Sequence, residues 1–210
     1  MKKIKNQAFL WNTEYKSHKT LWHLESENLS SKIKGKRVLE LGVGDGKTLR
    51  SILKKNPMEV IAIDFSSEAI KKCKNQFNEN IAHFKKADIT KIQFEDNKFD
   101  AIFCYYVLNN MLEKDRILAV NEIYRVLRKK GIVFFEDFSI GDFREEKKAK
   151  RIESHTIKKK YGIICHFFKT NELNTLFSKF STKKFKLKVT KPITHKGYLK
   201  RKIISGIIVK

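Results

Sequence analysis

The residue types best suited to chemistry stand together in Val38-Leu39-Glu40-Leu41-Gly42-Val43-Gly44-Asp45-Gly46-Lys47-Thr48-Leu49. An apolar run enters a G-x-G-x-G turn and leaves as an amphipathic segment, the strand-turn-helix context in which such a motif binds nucleotides. Glycines let backbone pass close to a ligand and take positive φ, and the unpaired N–H groups of the next helix face polar or anionic atoms. The expected ligand position is the carboxyl edge of the first strand. Spacing then selects among nucleotides. A dinucleotide fingerprint has its third glycine where Lys47 stands, one residue after Gly46, which argues against NAD and FAD. No G-x-x-x-x-G-K-[ST] phosphate loop occurs. Asp64 closes the next apolar run, Val60-Ile61-Ala62-Ile63, where an acid can accept from two ribose hydroxyls, as suits an adenosyl group.

These residues need strands and helices to hold them, and the hydrophobic pattern supplies both. Strands are expected at Arg37 to Leu41, Glu59 to Ile63, Ile81 to Lys86, Phe99 to Tyr105 and Gly131 to Asp137. Between them, Lys47 to Lys55, Ser67 to Phe77 and Glu113 to Arg128 read as helices. Alternation of this kind implies a parallel sheet covered on both faces, an α/β fold. Ahead of it, Tyr15, His18, Leu21, Trp22, Glu25 and Leu29 fall at helical spacing in a segment starting at Asn12 or Thr13. After it, Ser139 to Ile163 is charged and weakly periodic, expected as a helix and loop excursion. Thr170 to Phe180 reads as a helix with Thr170 as N-cap. Lys184 to Val189 and Lys202 to Val209 read as strands joined by a loop too long for a tight hairpin.

The chain has 210 residues, 41% of them hydrophobic and 33% charged, enough apolar material for one domain over 1–210. No run reaches the roughly 18 apolar residues of a membrane-spanning helix, and Met1 to Asn6 has no apolar signal core, so the expected location is cytoplasmic. Cys73, Cys104 and Cys165 are far apart without C-x-x-C spacing, so no metal site and no disulfide is expected. Of the net charge of +23, residues 1–140 hold 26 basic and 18 acidic side chains, and residues 141–210 hold 20 and 5. That carboxy-terminal third attracts polyanions, including nucleic acid, although its excess is mostly lysine, as in a lysine-rich surface without a partner.

With these segments in order, the sequence resembles the class I, Rossmann-like S-adenosylmethionine (SAM) dependent methyltransferases, in the group that includes ubiquinone/menaquinone-biosynthesis and tRNA wobble-uridine methyltransferases. The resemblance covers about residues 36–138 and rests on five ordered matches. They are the glycine loop, Asp64, Ala87-Asp88-Ile89, the run Phe99 to Met111, and Glu122 to Phe134. It implies a three-layer α/β/α fold with a mostly parallel seven-stranded sheet of order 3-2-1-4-5-7-6, its last strand antiparallel. It also implies SAM as cofactor, with Glu40, Gly42, Gly44, Asp45 and Gly46 around the methionine moiety and Asp64 and Phe65 at the ribose. Asp88 and Ile89 would meet the adenine, and Tyr105 would lie beside the transferable methyl. Residues 1–35 would form a helical cap carrying Trp11, Tyr15 and Trp22, and 139–165 a basic excursion on the substrate side.

Transfer from a sulfonium asks mainly for alignment and a dry pocket, so few protein groups are obligatory. If the nucleophile must lose a proton, the candidates at the carboxyl edge are Tyr105, Tyr106, Glu136 and Asp137, with His155 or His166 from the excursion. Each has a packing alternative: the tyrosines beneath the cofactor, the acids as caps or lysine partners, His166 in the core. No Asn/Asp-Pro-Pro-aromatic motif follows the fourth strand, and Cys104 is not preceded by proline, which argues against exocyclic-amine and cytosine-C5 chemistry. The expected function is methyl transfer to a small molecule by in-line displacement. An RNA (tRNA) methyltransferase gripping phosphates with Lys158-Lys159-Lys160, Lys183-Lys184 and Lys200-Arg201-Lys202 is the alternative, and a SAM- or nucleic-acid-binding protein without catalysis is a third.

Overall fold

The runs that are apolar throughout become strands buried on both faces. In the computed structural model, which describes residues 7–17, 31–146, 148–159, 161–191, 193–194 and 197–210, β1 (Arg37–Leu41), β2 (Glu59–Asp64), β3 (Ala82–Lys86), β4 (Phe99–Tyr105) and β5 (Leu127–Phe138) pair in parallel. After three short strands, β6 (Lys150–Glu153), β7 (Thr156–Lys158) and β8 (Ile164–His166), β9 (Thr182–Thr190) returns to the sheet. A small antiparallel pair, β10 (Ile193–Thr194) with β11 (Gly197–Tyr198), leads to β12 (Arg201–Val209), which lies antiparallel between β5 and β9. The order β3-β2-β1-β4-β5-β12-β9 is the expected wound sheet with its last strand reversed.

Helices cover the two faces according to which alternate residues they meet. Leu49 and Ile52 of α2 (Lys47–Leu53) and Ile70 and Cys73 of α3 (Ser67–Gln76) pack on Val38, Val60, Ala62, Ala101, Phe103 and Phe134. On the opposite face, Ala119, Val120 and Ile123 of α4 (Glu113–Val126) and Leu173 of α5 (Thr170–Leu176) pack on Leu39, Ile61, Ile102, Val133 and Ile204. Such covered strands show continuous rather than alternating hydrophobicity. Local chemistry sets the ends: Ser66 caps α3 by accepting from the Ala69 amide at 3.2 Å, and Glu113 and Asp115 occupy the positive end of α4.

Four expectations are corrected. The amino-terminal helix α1 is Gln7–Ser17, earlier than expected, and His18 to Leu29, with Trp22, lies outside the described residues. Helix α4 stops at Val126 rather than Arg128 because Leu127 pairs with Phe99 as the first residue of β5. Lys169, not Thr170, is the N-cap of α5, its amide donating to Glu172 Oε2 at 3.5 Å. The excursion after β5 is a three-stranded antiparallel sheet, β6-β7-β8, rather than helix and loop. Its strands of three or four residues are too short to print a period of two on the sequence. Among the described residues no helix is long and apolar enough to cross a membrane.

A buried cation fastens this small sheet. Arg116 of α4 donates to the Met111 carbonyl at 2.7 Å and lies 3.8 Å from Glu153 of β6 and 3.6 Å from Glu172 of α5. Replacing Arg116 by Met is expected to lower unfolding stability by about 2 kcal/mol, measured by denaturant titration. That is below the roughly 3–5 kcal/mol for breaking a fully buried pair, because both glutamates keep contact with solvent.

Candidate functional site

Parallel register puts the ends of β1 and β2 side by side, with Leu41 opposite Ile63. The amides of Gly42 and Val43 both donate to the Ile63 carbonyl, at 2.8 and 3.1 Å, so the glycine loop starts against the residue before Asp64. Asp64 Oδ2 accepts from the Gly44 amide at 3.0 Å and Oδ1 from the Ser66 amide at 2.8 Å. Gly46 closes the loop as N-cap of α2 at φ 79°, where a Cβ would overlap the Phe77 ring. Thus Glu40, Gly42, Gly44, Asp45, Gly46 and Asp64, named separately in the sequence, form one cluster.

That cluster is acidic and dry. Glu40, Asp45 and Asp64 are all buried, and Glu40 Oε2 and Asp45 Oδ2 have no hydrogen-bond partner. Burial, then Asp64 and Asp45, push the Glu40 carboxyl well above the usual range, against one amide bond from Leu49. Burial raises Asp64 to about 6 despite amides from Ser66, Gly44 and Phe65. Orphaned carboxylate oxygens in a buried site are costly unless a cation or donor meets them. The donor set suits a ligand with an ammonium, a sulfonium and ribose hydroxyls, so SAM fits these residues. Phe65, half buried, follows Asp64 directly. Asp88 is exposed after β3, its Oδ1 accepting from the Thr90 amide and hydroxyl, both at 2.8 Å, while Ile89 packs into the core.

Helix α1 lies over this edge. The Tyr15 hydroxyl stands 2.8 Å from where a Cβ on Gly44 would be, and Trp11 packs 5.7 Å from the Tyr15 ring. Burial and then Asp64 and Asp45 push the Tyr15 phenol up. Asn12 Oδ1 accepts from Ser66 Oγ at 2.7 Å and from the Glu68 amide at 3.3 Å, seating the helix on the start of α3. At its other end, the Gln7 side chain donates to the Gly162 carbonyl at 3.1 Å and accepts from the Ile164 amide at 3.3 Å.

A second group of side chains collects where β4 and β5 end. Tyr105 pairs across from Glu136 and meets Phe103 edge-on at 5.6 Å. Tyr106 hydrogen-bonds through its hydroxyl to Glu136 Oε1 and accepts from Arg201 Nη2 at 3.3 Å. Val107 follows, its side chain filling the space that a Cβ on Gly42 would need, so this loop touches the glycine loop. Arg201 was hidden in a run of lysines, and its type was the available signal: a planar fork holds a phenol where a lysine would be a point charge.

Three expected bases do not join this group. Asp137 is fully buried, and its oxygens accept from the Asn109 amide at 3.0 Å and the Phe138 amide at 2.9 Å, bracing the turn after β4. Burial pushes its carboxyl well up. His166 is buried between Thr156 Oγ1 at 2.8 Å from Nδ1 and Glu172 Oε1 at 2.8 Å from Nε2, joining the Arg116 network. His155 sits half buried at the β6–β7 turn with φ 53°.

A model of the methyltransferase domain family matches residues 39–135. YrhH of Bacillus subtilis (strain 168), which carries a methyltransferase name, is 30% identical over 128 residues, covering 58% of this chain and 68% of YrhH. O-methyltransferase 3 of Dictyostelium discoideum is 27% identical over 208 residues, 92% of this chain and 47% of that protein. The chain spans about half the length of several curated relatives it matches. A solved SAM-dependent methyltransferase of Methanosarcina mazei superposes with TM-score 0.71 at 22% identity, covering 89% of this chain and 99% of that one, which is likeness of fold.

Asp64→Asn is expected to weaken S-adenosylhomocysteine about 10- to 100-fold by calorimetry, the loss of a charge-assisted hydrogen bond, with the fold retained by circular dichroism. Unchanged affinity refutes the assignment. In the free protein Asp64 takes up a proton as pH falls through about 6. If ligand binding needs the carboxylate, that proton must first be displaced. Affinity is therefore expected to be flat above pH 7 and to fall by up to tenfold per unit below about 6 in calorimetry across that range.

Proposed function

The chain belongs to the SAM-dependent methyltransferase family, and we propose that it transfers the cofactor's methyl group to a small-molecule acceptor by in-line displacement. The observation carrying this reading is the buried acid trio Glu40, Asp45 and Asp64 gathered around the glycine loop, with two orphaned carboxylate oxygens. Bound there, SAM supplies a methyl carbon made electrophilic by its sulfonium. The acids of the chain would hold the cationic methionine end and the ribose, and Asp88 and Ile89 would flank the adenine. Tyr15 and Trp11 exclude water from above the loop, which strengthens every charge interaction beneath them. On this reading the acceptor approaches along the wall made by Tyr105, Tyr106 and Glu136, beside the loop that touches Gly42. A small molecule is supported by the likeness to a demethylmenaquinone methyltransferase of Clavibacter sepedonicus, 28% identical over 120 residues.

Two observations favour RNA as a second reading, the first a likeness to a tRNA N(3)-methylcytidine methyltransferase of Drosophila melanogaster, 27% identical over 160 residues. Lys184, Lys186 and Lys188 are exposed on one side of the edge strand β9, about 7 Å apart by strand geometry, in a row running toward the carboxyl edge. Such a row suits successive phosphates. It equally protects an edge strand from pairing with another chain, which leaves the metabolite reading first.

The test is transfer of a labelled methyl from SAM into a metabolite extract and, separately, into total RNA. Label is expected in the metabolite fraction. Label in RNA that disappears in a Lys184→Glu, Lys186→Glu, Lys188→Glu variant would replace this reading by the second. No label in either fraction, with S-adenosylhomocysteine bound normally, overturns catalysis.

A further inference from the structure

Tyr106 is held in a conformation that costs energy and is secured from several sides. Its φ is 57°, in the left-handed region that bulky side chains avoid. Its amide donates to the Glu136 carbonyl at 2.7 Å, its carbonyl accepts from Asn110 Nδ2 at 2.9 Å, and its ring packs 5.1 Å from Phe138. The result places the phenol oxygen between a carboxylate from β5, Glu136, and a guanidinium from β12, Arg201. Those are the charged groups that face it, and the next residue in the chain lies against Gly42.

Resting on the methyl-transfer reading, we propose that Tyr106 takes the proton from the acceptor and hands its own to Glu136, so that the acceptor is a phenolic or enolic hydroxyl. The hydroxyl oxygen donates to Tyr106 Oη. As its O–H bond breaks, the freed pair forms the new bond to the methyl carbon, and the carbon–sulfur pair leaves with sulfur as a neutral thioether. The proton enters Tyr106 Oη while the proton already there passes to Glu136, which is half buried and returns it to water. One positive charge is lost from sulfur and one proton is released, so the step balances. Arg201 is a positioning residue, and its N–H steadies the negative charge passing through the phenol oxygen. Burial and Glu136 push the Tyr106 phenol up while Arg201 draws it down, so phenolate forms only in passing. An acceptor whose nucleophile bears no proton, such as a pyridine-type ring nitrogen or a thioether, has no use for this path.

Two measurements decide it. The first needs no acceptor: carbon-13 spectra of protein labelled at tyrosine Cζ, near neutral pH, in the wild type, Glu136→Gln, Arg201→Met and Tyr106→Phe. One signal, missing when Tyr106 is replaced, is expected to move both in Glu136→Gln, where the phenol loses its carboxylate partner, and in Arg201→Met, where it loses a donor. A Tyr106 signal indifferent to both variants overturns the relay. The second is carbon-13 methyl transfer from labelled SAM into the metabolite and RNA fractions, read by proton–carbon correlation spectra. An O-methyl product is expected, with Tyr106→Phe slowed at least 100-fold, the usual range for losing a general base, and S-adenosylhomocysteine affinity unchanged. Glu136→Gln should shift the pH–rate profile, which a purely structural role would not do. A product methylated anywhere but on a hydroxyl oxygen, or an undiminished Tyr106→Phe, overturns the proposal. A wild type that binds the homocysteine analogue and labels nothing refutes methyl transfer itself, and the relay with it.

Discussion

A single carboxylate ties the glycine-loop edge of the sheet together. Asp64 ends β2 and reaches back across the sheet edge to the Gly44 amide while holding the Ser66 amide that opens α3. This works only because β1 and β2 run parallel in a register that brings Leu41 and Ile63 level. A one-residue slip would turn the acid to the other face and leave the glycine loop without its anchor. The same bonds that shape the loop also explain why the carboxylate remains titratable: amides oppose, but do not cancel, the cost of removing the charge from water.

How far a segment could be understood from sequence depends on how local its causes are. Strand β4, Phe99–Tyr105, is found at its expected bounds because both of its faces are covered and its hydrophobicity is therefore continuous. The glycine loop was legible because positive φ and close backbone approach leave a composition mark. By contrast, β6, β7 and β8 depend on Arg116, whose partners Glu153 and Glu172 are 37 and 56 positions away in the chain. No window of neighbouring residues contains that information. Asp137 illustrates the same limit at the level of a single side chain: an acid at a strand end is open to solvent or closed off according to whether a turn folds over it. Here the Leu108–Asn110 turn does, and Asn109 takes one of its oxygens.

The two faces of the site are built by opposite strategies. At the glycine loop, acids are crowded together with no cation among the described groups acting on Glu40 and Asp64, an arrangement that a positively charged group would relieve. At the ends of β4 and β5, carboxylate and guanidinium flank a phenol, so charge is balanced. The boundary between them is only one side chain thick, Val107 against Gly42.

Helix α1 ties the glycine loop to the excursion. Gln7 is bonded to Gly162 and Ile164 beside the excursion, and Tyr15 lies on Gly44. The eight-residue step between them is about 12 Å of helix, a rod rather than a tether. Whatever moves Tyr15 from the glycine loop must tilt that rod on Asn12, where it is bonded to the start of α3, or break the amide pair at Gly162 and Ile164. Packed elements respond by shifting as units rather than by deforming evenly. Displacing Tyr15 from the glycine loop and shifting the helix on the excursion therefore belong to one equilibrium.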